Sequence, residues 1–147
     1  MALLSPADQD KLREAFADMT SAVKLVFFTQ TLGCETCLQT REIIDELPPL
    51  CDKISIAEVN FVLDADTAKS FGVDRVPALA IVGTDEQGND RDSRIRFVGA
   101  PAGYEFISLV QAIMLVGGRE SSLTESNRQK LAAVDKPMII QVFTTPT

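Results

Sequence analysis

The spacing of apolar residues in the first third of the chain predicts a helix, a strand and a second helix. Apolar residues recur at helical spacing after Ser5 and Pro6, a pair that is typical of a helix N-terminus. Residues 23–28 form an almost continuous apolar run and predict a strand. A second helical pattern covers residues 35–47 and stops at Pro48, which cannot continue a helix.

The middle of the chain continues this alternation of elements. Residues 54–59 alternate in polarity like a strand, and residues 64–72 resemble a short helix that starts at an Asp and ends at a Gly. Residues 77–82 predict a buried strand, joined through a polar turn to an alternating strand over residues 94–98. Residues 104–116 predict an apolar helix closed by two glycines. The order α-β-α-β-α-β-β-α predicts an α/β fold with a mixed sheet flanked by helices.

The end of the chain repeats its beginning. Residues 123–131 align with residues 4–12 at a constant offset. After a short deletion, residues 138–144 align with residues 23–29. Such self-similarity indicates a second copy of one helix–strand unit. A chance match between two amphipathic helix–strand pairs is the alternative interpretation.

The repeat suggests a division into two units. We interpret residues 1–118 as one domain and residues 119–147 as the first helix and strand of a truncated second unit, so that the natural protein is expected to be longer. A strand at residues 138–143 without the rest of its unit would expose apolar side chains and unpaired edge groups. We expect this strand to pair with the sheet edge of the first unit, to dock on another chain, as in a dimer, or to be poorly ordered.

Composition and charge narrow the class of protein. The chain of 147 residues is 46% hydrophobic and 24% charged, which is typical of a globular domain. A formal net charge of −7 argues against nucleic-acid binding, because phosphate contacts need clustered Lys and Arg. The apolar runs are too short to span a membrane, and the first residues lack the pattern of a signal peptide. We therefore expect a cytoplasmic protein with no membrane partner.

Cysteine and histidine content limits the chemistry. Three cysteines are too few, and odd in number, for a secreted disulfide framework. The absence of histidine excludes histidine-based acid–base catalysis and Cys/His zinc sites within the chain. Cys51 is expected to pack as a small hydrophobic residue. A metal site would need a carboxylate to complete the three thiolates, so we assign no metal ligand.

Two of the cysteines, Cys34 and Cys37, follow the first predicted strand and open the second predicted helix. Unpaired N–H groups and the positive end of the helix dipole favour a thiolate at such a junction. Cys37 lies one turn later on the same face and could close a disulfide with Cys34. We interpret the pair as a dithiol–disulfide exchange site, with Cys34 as the nucleophile and Cys37 as the resolving thiol. Two buried structural cysteines are the alternative.

Several motifs resemble those of the thioredoxin superfamily. These are Phe-Thr-Gln before the cysteines, Cys-x-x-Cys at the helix start, Phe-Gly-Val-x-x-Val-Pro-Ala ending at Ala78, and a late Gly-Tyr-Glu-Phe. The nearest resemblance is to the N-terminal half of the protein disulfide oxidoreductases, glutaredoxin-like proteins with two fused thioredoxin-type units. It extends over essentially the whole chain, including the second, incomplete unit.

The resemblance implies both an activity and a binding element. The activity is thiol–disulfide exchange on protein disulfides, or an electron relay that supports cell redox homeostasis, with a flavin-dependent reductase as electron donor and no bound cofactor. Val76 and Pro77 correspond to the substrate-binding element of the family, in which a cis-proline faces the cysteine pair. The backbone before that proline is then free to pair with an extended substrate peptide.

Three positions depart from the family patterns. Phe28 stands where thioredoxins proper have a buried Asp that accepts a proton. The segment around Arg96 does not match the glutathione-binding segment of glutaredoxins, so no glutathione site is expected. Glu35 follows the nucleophile, and its carboxylate opposes a neighbouring thiolate. We therefore expect Cys34 to be only moderately activated and the pair to act as a reductant or to stay partly passive.

Other interpretations stay open at this stage. The domain is alternatively a non-catalytic binding or scaffold module, or the N-terminal module of an alkyl hydroperoxide reductase flavoprotein, which also fuses two thioredoxin-type halves. The arginines of the predicted hairpin are interpreted as a solvated face and not as an anion site; they are Arg91, Arg94 and Arg96.

Overall fold

A computed structural model of the chain describes residues 3–145, and its elements follow the predicted order. They are α1 (Pro6–Phe16), β1 (Val23–Thr29), α2 (Cys37–Asp45), β2 (Ile54–Asn60), α3 (Ala65–Ser70), β3 (Ala78–Thr84), β4 (Asp90–Val98), α4 (Tyr104–Val116) and α5 (Glu125–Ala132), with a 3-10 turn at Pro48–Leu50 between α2 and β2.

The four strands form one mixed sheet in the order β2-β1-β3-β4. β1 runs parallel to β2 and antiparallel to β3, and β3 runs antiparallel to β4. In this register Phe28, near the end of β1, lies opposite Ala78, the first residue of β3. The loop after β1 and the segment before β3 therefore lie at the same end of the sheet. The parallel and antiparallel pairings, with the helices between the strands, confirm the predicted α/β fold with a mixed sheet.

The sheet buries apolar residues on both faces, because side chains of a strand alternate between them. On one face Leu25 and Phe27 belong to the main core, which also contains Phe16, Ile44 and Leu109 from α1, α2 and α4. The other face carries a smaller cluster. Its buried members are Val26, Phe28, Ala68, Ala78, Ala80 and Val82, with Phe61, Phe71, Val73 and Val76 packed against them.

Two predicted element starts are wrong by two positions or more. α2 begins at Cys37, two positions later than expected, because Thr36 has φ −107° and ψ 4°, outside the helical region. β4 begins at Asp90, earlier than expected, and its first residues pair with β3 although they are polar. This difference has a clear reason: β4 is an edge strand with exposed positions, and such strands carry charged residues without loss of pairing.

The predicted strand at residues 138–143 is absent from the described part of the chain, residues 3–145. The segment is exposed, with Ile139 at 88% and Phe143 at 90%, and its nearest described polar contact is between Thr144 and Glu105. A strand needs a neighbour to accept and donate its backbone hydrogen bonds, and no described strand lies beside this one.

Candidate active site

The cysteine loop, residues 30–36, connects the end of β1 to the start of α2. A disulfide joins Cys34 in this loop to Cys37, the first residue of α2, with their Cα atoms 5.5 Å apart. Cys34 is half-buried, whereas Cys37 is only 5% exposed. A partner molecule can therefore reach the pair from the side of Cys34. This order of exposure is the one expected for an attacking and a resolving thiol.

Local hydrogen bonds hold the cysteine loop in shape. The Gln30 side-chain amide donates to the Leu32 carbonyl at 2.8 Å. Gly33 has φ +73°, a left-handed conformation that glycine adopts at little cost. At the other end of the loop, the Thr40 hydroxyl donates to the Thr36 carbonyl at 2.8 Å. Both ends of the loop are therefore fixed by residues close to the cysteines in sequence.

The start of α2 offers donors to a thiolate. The first N–H groups of a helix have no intrahelical acceptor, and the helix dipole adds positive potential there. Thr36 occupies the N-cap position, but its side chain makes no capping hydrogen bond, and the first turn contains no acidic residue. These donors are therefore not taken by a capping side chain. Glu35 is exposed, so water screens its carboxylate from the sulfurs.

The peptide bond between Val76 and Pro77 is cis, as the resemblance implies. Pro77 is buried and Val76 is half-buried. The Pro77 carbonyl accepts a hydrogen bond from the Gly99 N–H at 2.9 Å. Since Ala78 pairs with Phe28, the segment before β3, which we call the proline loop (residues 72–77), lies at the same end of the sheet as the cysteine loop.

Phe28 packs in the smaller core beneath the segment that leads to the proline loop. Its side chain is fully buried on the smaller-core face, and its ring centroid lies 5.5 Å from that of Phe71, just before the proline loop. An aromatic ring therefore fills the position where thioredoxins proper place a buried carboxylate. No carboxylate side chain is therefore present at this position of the core.

The third cysteine lies away from this site. Cys51 is a half-buried free thiol that packs against the main core, as expected for a small hydrophobic residue. Within residues 3–145, no three or more side chains of His, Cys, Asp or Glu are placed to hold a metal ion. In the same part of the chain, every helix is too short or too polar to cross a membrane.

Two residues of the site region escaped the sequence analysis. Thr40 is the buried polar side chain of the described core. It lies three positions after Cys37 on the same buried face of α2, and this helical spacing could have identified it from the sequence. Arg96 was expected on a solvated face, and this expectation is wrong. Its side chain is 21% exposed, pairs with Asp92 and donates from Nε to the Phe71 carbonyl at 3.0 Å.

Comparison with known proteins places this geometry in a family. No family model matches the chain. It is 32% identical over 89 residues to a probable thioredoxin from Methanothermobacter marburgensis, a match that covers 60% of this chain and 92% of the relative. A probable thioredoxin from Methanothermobacter thermautotrophicus is 31% identical over 78 residues, covering 52% of this chain and 80% of the relative. The chain belongs to the thioredoxin superfamily.

Solved structures of thioredoxin-superfamily proteins match a larger share of this chain. A protein disulfide oxidoreductase from Aeropyrum pernix matches with a TM-score of 0.73 and 27% identity, over 88% of this chain and 54% of that one. The N-terminal domain of alkyl hydroperoxide reductase AhpF from Enterococcus faecalis matches with a TM-score of 0.76 and 26% identity, over 90% of this chain and 62% of that one. The chain thus spans less than two thirds of either structure. With the Cys34–Cys37 disulfide, these relatives identify a thiol–disulfide oxidoreductase of thioredoxin-like fold.

Proposed function

We propose that this domain reduces disulfides of protein substrates, with Cys34 as the nucleophile and Cys37 as the resolving thiol. One observation carries the assignment of roles. The two cysteines form a disulfide in which Cys34 is the more exposed partner and Cys37 is buried at the start of α2. The alternative, a scaffold module with incidental cysteines, gives no reason for a bonded pair at this junction.

The reaction proceeds in two exchanges. In the first, the Cys34 thiolate attacks one sulfur of the substrate disulfide, a mixed disulfide forms, and the other substrate sulfur leaves as a thiolate. In the second, Cys37 loses its proton and attacks the Cys34 sulfur, which closes the Cys34–Cys37 disulfide and releases the second substrate thiolate. Two electrons pass from the domain to the substrate, whose two thiolates take up protons from solvent. An external dithiol or a reductase must then return two electrons to the domain.

Reduction of insulin by dithiothreitol, followed by turbidity, tests this proposal. The wild-type chain is expected to accelerate precipitation of the reduced insulin chains, and Cys34→Ser is expected to abolish that acceleration, because a hydroxyl does not attack a disulfide. Cys51→Ser is the matched control and should leave the rate unchanged. Acceleration that persists in Cys34→Ser, or its absence in the wild type, would favour the scaffold module.

We assign substrate binding to Val76 and Pro77. The proline loop lies at the cysteine end of the sheet, which supports this assignment. An extended peptide would pair with the backbone of Val76, as in strand addition. Crosslinking from a photoreactive residue next to the disulfide of a peptide substrate tests the assignment: label on residues 75–77 supports it, and label confined to other segments contradicts it.

A second candidate function is electron relay, as in an N-terminal module like that of AhpF, and the likeness to that structure supports it. With it we propose that residues 1–118 form one unit and that residues 119–147 start another. Both helix starts are capped alike: the Ser5 hydroxyl accepts from the Asp8 N–H, and the Thr124 hydroxyl accepts from the Asn127 N–H. If the native gene encodes a second Cys-x-x-Cys, stopped-flow electron transfer between the two pairs distinguishes relay from direct reduction.

The remaining assignments concern partners and location. The resemblance to protein disulfide oxidoreductases supports a flavin-dependent reductase as electron donor, which NADPH-coupled turnover with purified reductases tests.

The exposed apolar segment at residues 138–143 supports dimerisation, which sedimentation equilibrium tests: loss of the dimer on deletion of that segment is expected. The small number of cysteines supports a cytoplasmic location, and thiol alkylation in fractionated cells tests it.

A further inference from the structure

An irregularity in edge strand β4 brings the side chains of Asp92 and Arg96 together. Ala80 of β3 pairs with Arg96 and Val82 pairs with Asp92, so a β-bulge separates these two pairs. Arg94 within the bulge has φ +65°, a left-handed conformation that is uncommon for a residue other than glycine. β-bulges often lie near active sites, where they redirect a side chain.

Side chains within the bulge replace the hydrogen bonds that the sheet loses there. The Ser93 hydroxyl donates to the Ile81 carbonyl and accepts from the Ile95 N–H. The Asp92 carboxylate accepts from the Arg94 N–H at 2.9 Å. The bulge is therefore a built feature and not a frayed end of the strand.

The bulge brings Asp92 and Arg96 into contact. In a straight strand, residues four apart are separated by about 13 Å along the chain. Here the Arg96 guanidinium donates to the two carboxylate oxygens of Asp92 at 2.8 and 2.6 Å. This bidentate pair fixes the plane of the guanidinium and leaves Nε free to point elsewhere.

Arg96 Nε reaches the segment that leads to the cis-proline. It donates to the Phe71 carbonyl at 3.0 Å, and the guanidinium carbon lies 5.2 Å from the centre of the Phe71 ring. Phe71 is the C-cap residue of α3, where carbonyl groups lack helical partners and a cation is favoured. Arg96 therefore contacts both the backbone and the side chain of the residue that immediately precedes the proline loop.

We propose that Arg96, aimed by Asp92 across the bulge, is a positioning residue that holds the proline loop in its substrate-binding conformation. The inference rests on the proposed function for the role of Val76 and Pro77. From Phe71 the chain reaches Val76 in five residues, so a shift at Phe71 moves the backbone that would pair with substrate. The Gly72 and Val73 N–H groups, which donate to the Lys69 and Ala68 carbonyls at 3.0 and 2.9 Å, report such a shift.

A positioning role predicts a selective kinetic defect. In Arg96→Gln, KM for a protein disulfide such as insulin is expected to rise about tenfold with kcat changed less than about twofold. The rate of reduction of a small aromatic disulfide such as dithiobis(nitrobenzoate) should stay within about twofold of wild type, because this molecule has no peptide backbone to pair with the proline loop. Arg96→Lys keeps the charge but lacks the planar fork, and should show the same split. Arg91→Gln, at an exposed arginine of the same strand, should change nothing.

A merely structural role gives a different result. Equal slowing of both substrates in Arg96→Gln and Arg96→Lys, or no change for either, would overturn the proposal. If Arg96→Gln does not fold, the Arg96→Lys split decides alone.

A second readout does not depend on activity. Hydrogen exchange at Gly72 and Val73 is expected to quicken about tenfold in the Arg96 variants but not in Arg91→Gln. Unchanged exchange at these two amides would contradict the positioning role. If the wild type reduces no disulfide, the proposed function fails, and this exchange measurement still decides whether Arg96 holds the loop.

Discussion

The cysteine loop and the proline loop lie at one end of the sheet, but different parts of the chain hold them. The cysteine loop is fixed from within, by Gln30 and by Thr40 close to it in sequence. The proline loop also has hydrogen bonds from outside its own stretch of sequence: Gly99 donates to Pro77, and Arg96, on an edge strand 25 residues from Phe71, donates to the residue before the loop. The reacting sulfurs thus depend on local structure, whereas the surface proposed to hold the substrate depends on tertiary structure. Variants can therefore separate chemistry from substrate binding.

The largest effect is expected in the cysteine loop itself. Cys37→Ser leaves the first exchange intact and removes the second, because a serine hydroxyl does not resolve a mixed disulfide. Multiple-turnover reduction should fall by at least about a hundredfold, while a one-to-one mixed disulfide with Cys34 accumulates. Electrophoresis without reductant and mass spectrometry detect that adduct. If Cys34→Ser captured substrate and Cys37→Ser did not, the assigned roles would be reversed.

The next largest effect is expected at Phe28 in the smaller core. Phe28 is fully buried and contacts Phe71, so Phe28→Ala should lower the free energy of unfolding by about 3–5 kcal/mol. Phe28→Leu fills more of the space and should cost less. Urea unfolding measures both variants. A loss below about 1 kcal/mol in Phe28→Ala would mean that the Phe28 ring contributes little to the packing of the smaller core.

The same contrast explains how far the sequence predicts this site. The cysteine pair and the Val-Pro element were predictable because each is a short motif beside a strand. The ion pair between Asp92 and Arg96 was not, since two residues four apart meet on a helix but not on a regular strand. Only the bulge brings them together, and Arg94 in a left-handed conformation carries no sequence signal comparable to a glycine.

The aligned stretches near the two ends of the chain show a second limit of sequence patterns. Both stretches form a capped helix, α1 and α5, because a cap and a helical sequence act locally. The strand-like pattern forms β1 at residues 23–29, where β2 and β3 lie on either side, and forms no described strand at residues 138–143. A strand pattern predicts structure only where the fold supplies neighbouring strands.

A smaller effect should separate the two loops directly. Thr40→Val removes the hydroxyl that donates to the Thr36 carbonyl, while the Thr40 N–H still donates to the same oxygen at 2.9 Å. No buried acceptor is left unsatisfied, so the loss of stability should be about 1 kcal/mol, and Thr40→Ser should restore most of it. Hydrogen exchange at Val73 should not change. Faster exchange there in Thr40→Val would show that the loops are coupled through the helix.

The smallest effect is expected from removing the charge of Asp92, whose carboxylate orients the Arg96 guanidinium. The Arg96 guanidinium, through its hydrogen bonds to Asp92, lowers the pKa of that carboxyl in the folded protein, and partial burial opposes the shift. A carboxyl with a lowered folded pKa contributes stability above the ordinary aspartate pKa of about 3.9 and loses that contribution as the pH falls through the folded value. Because the pair is partly exposed, Asp92→Asn should lower the free energy of unfolding near neutral pH by less than about 1 kcal/mol.

The pH dependence of that difference is the sharper observation. The difference in free energy of unfolding between wild type and Asp92→Asn, which we call the gap, should be full at about pH 7. It should close below about pH 4, since acid protonates the carboxylate that the variant lacks. In an Arg96→Gln background the gap should largely vanish at both pH values, because the guanidinium that lowers the pKa is gone. Urea unfolding of the four proteins measures this cycle. A gap that widens in acid, or one that survives without Arg96, would show that Asp92 acts on something other than the arginine that holds the proline loop.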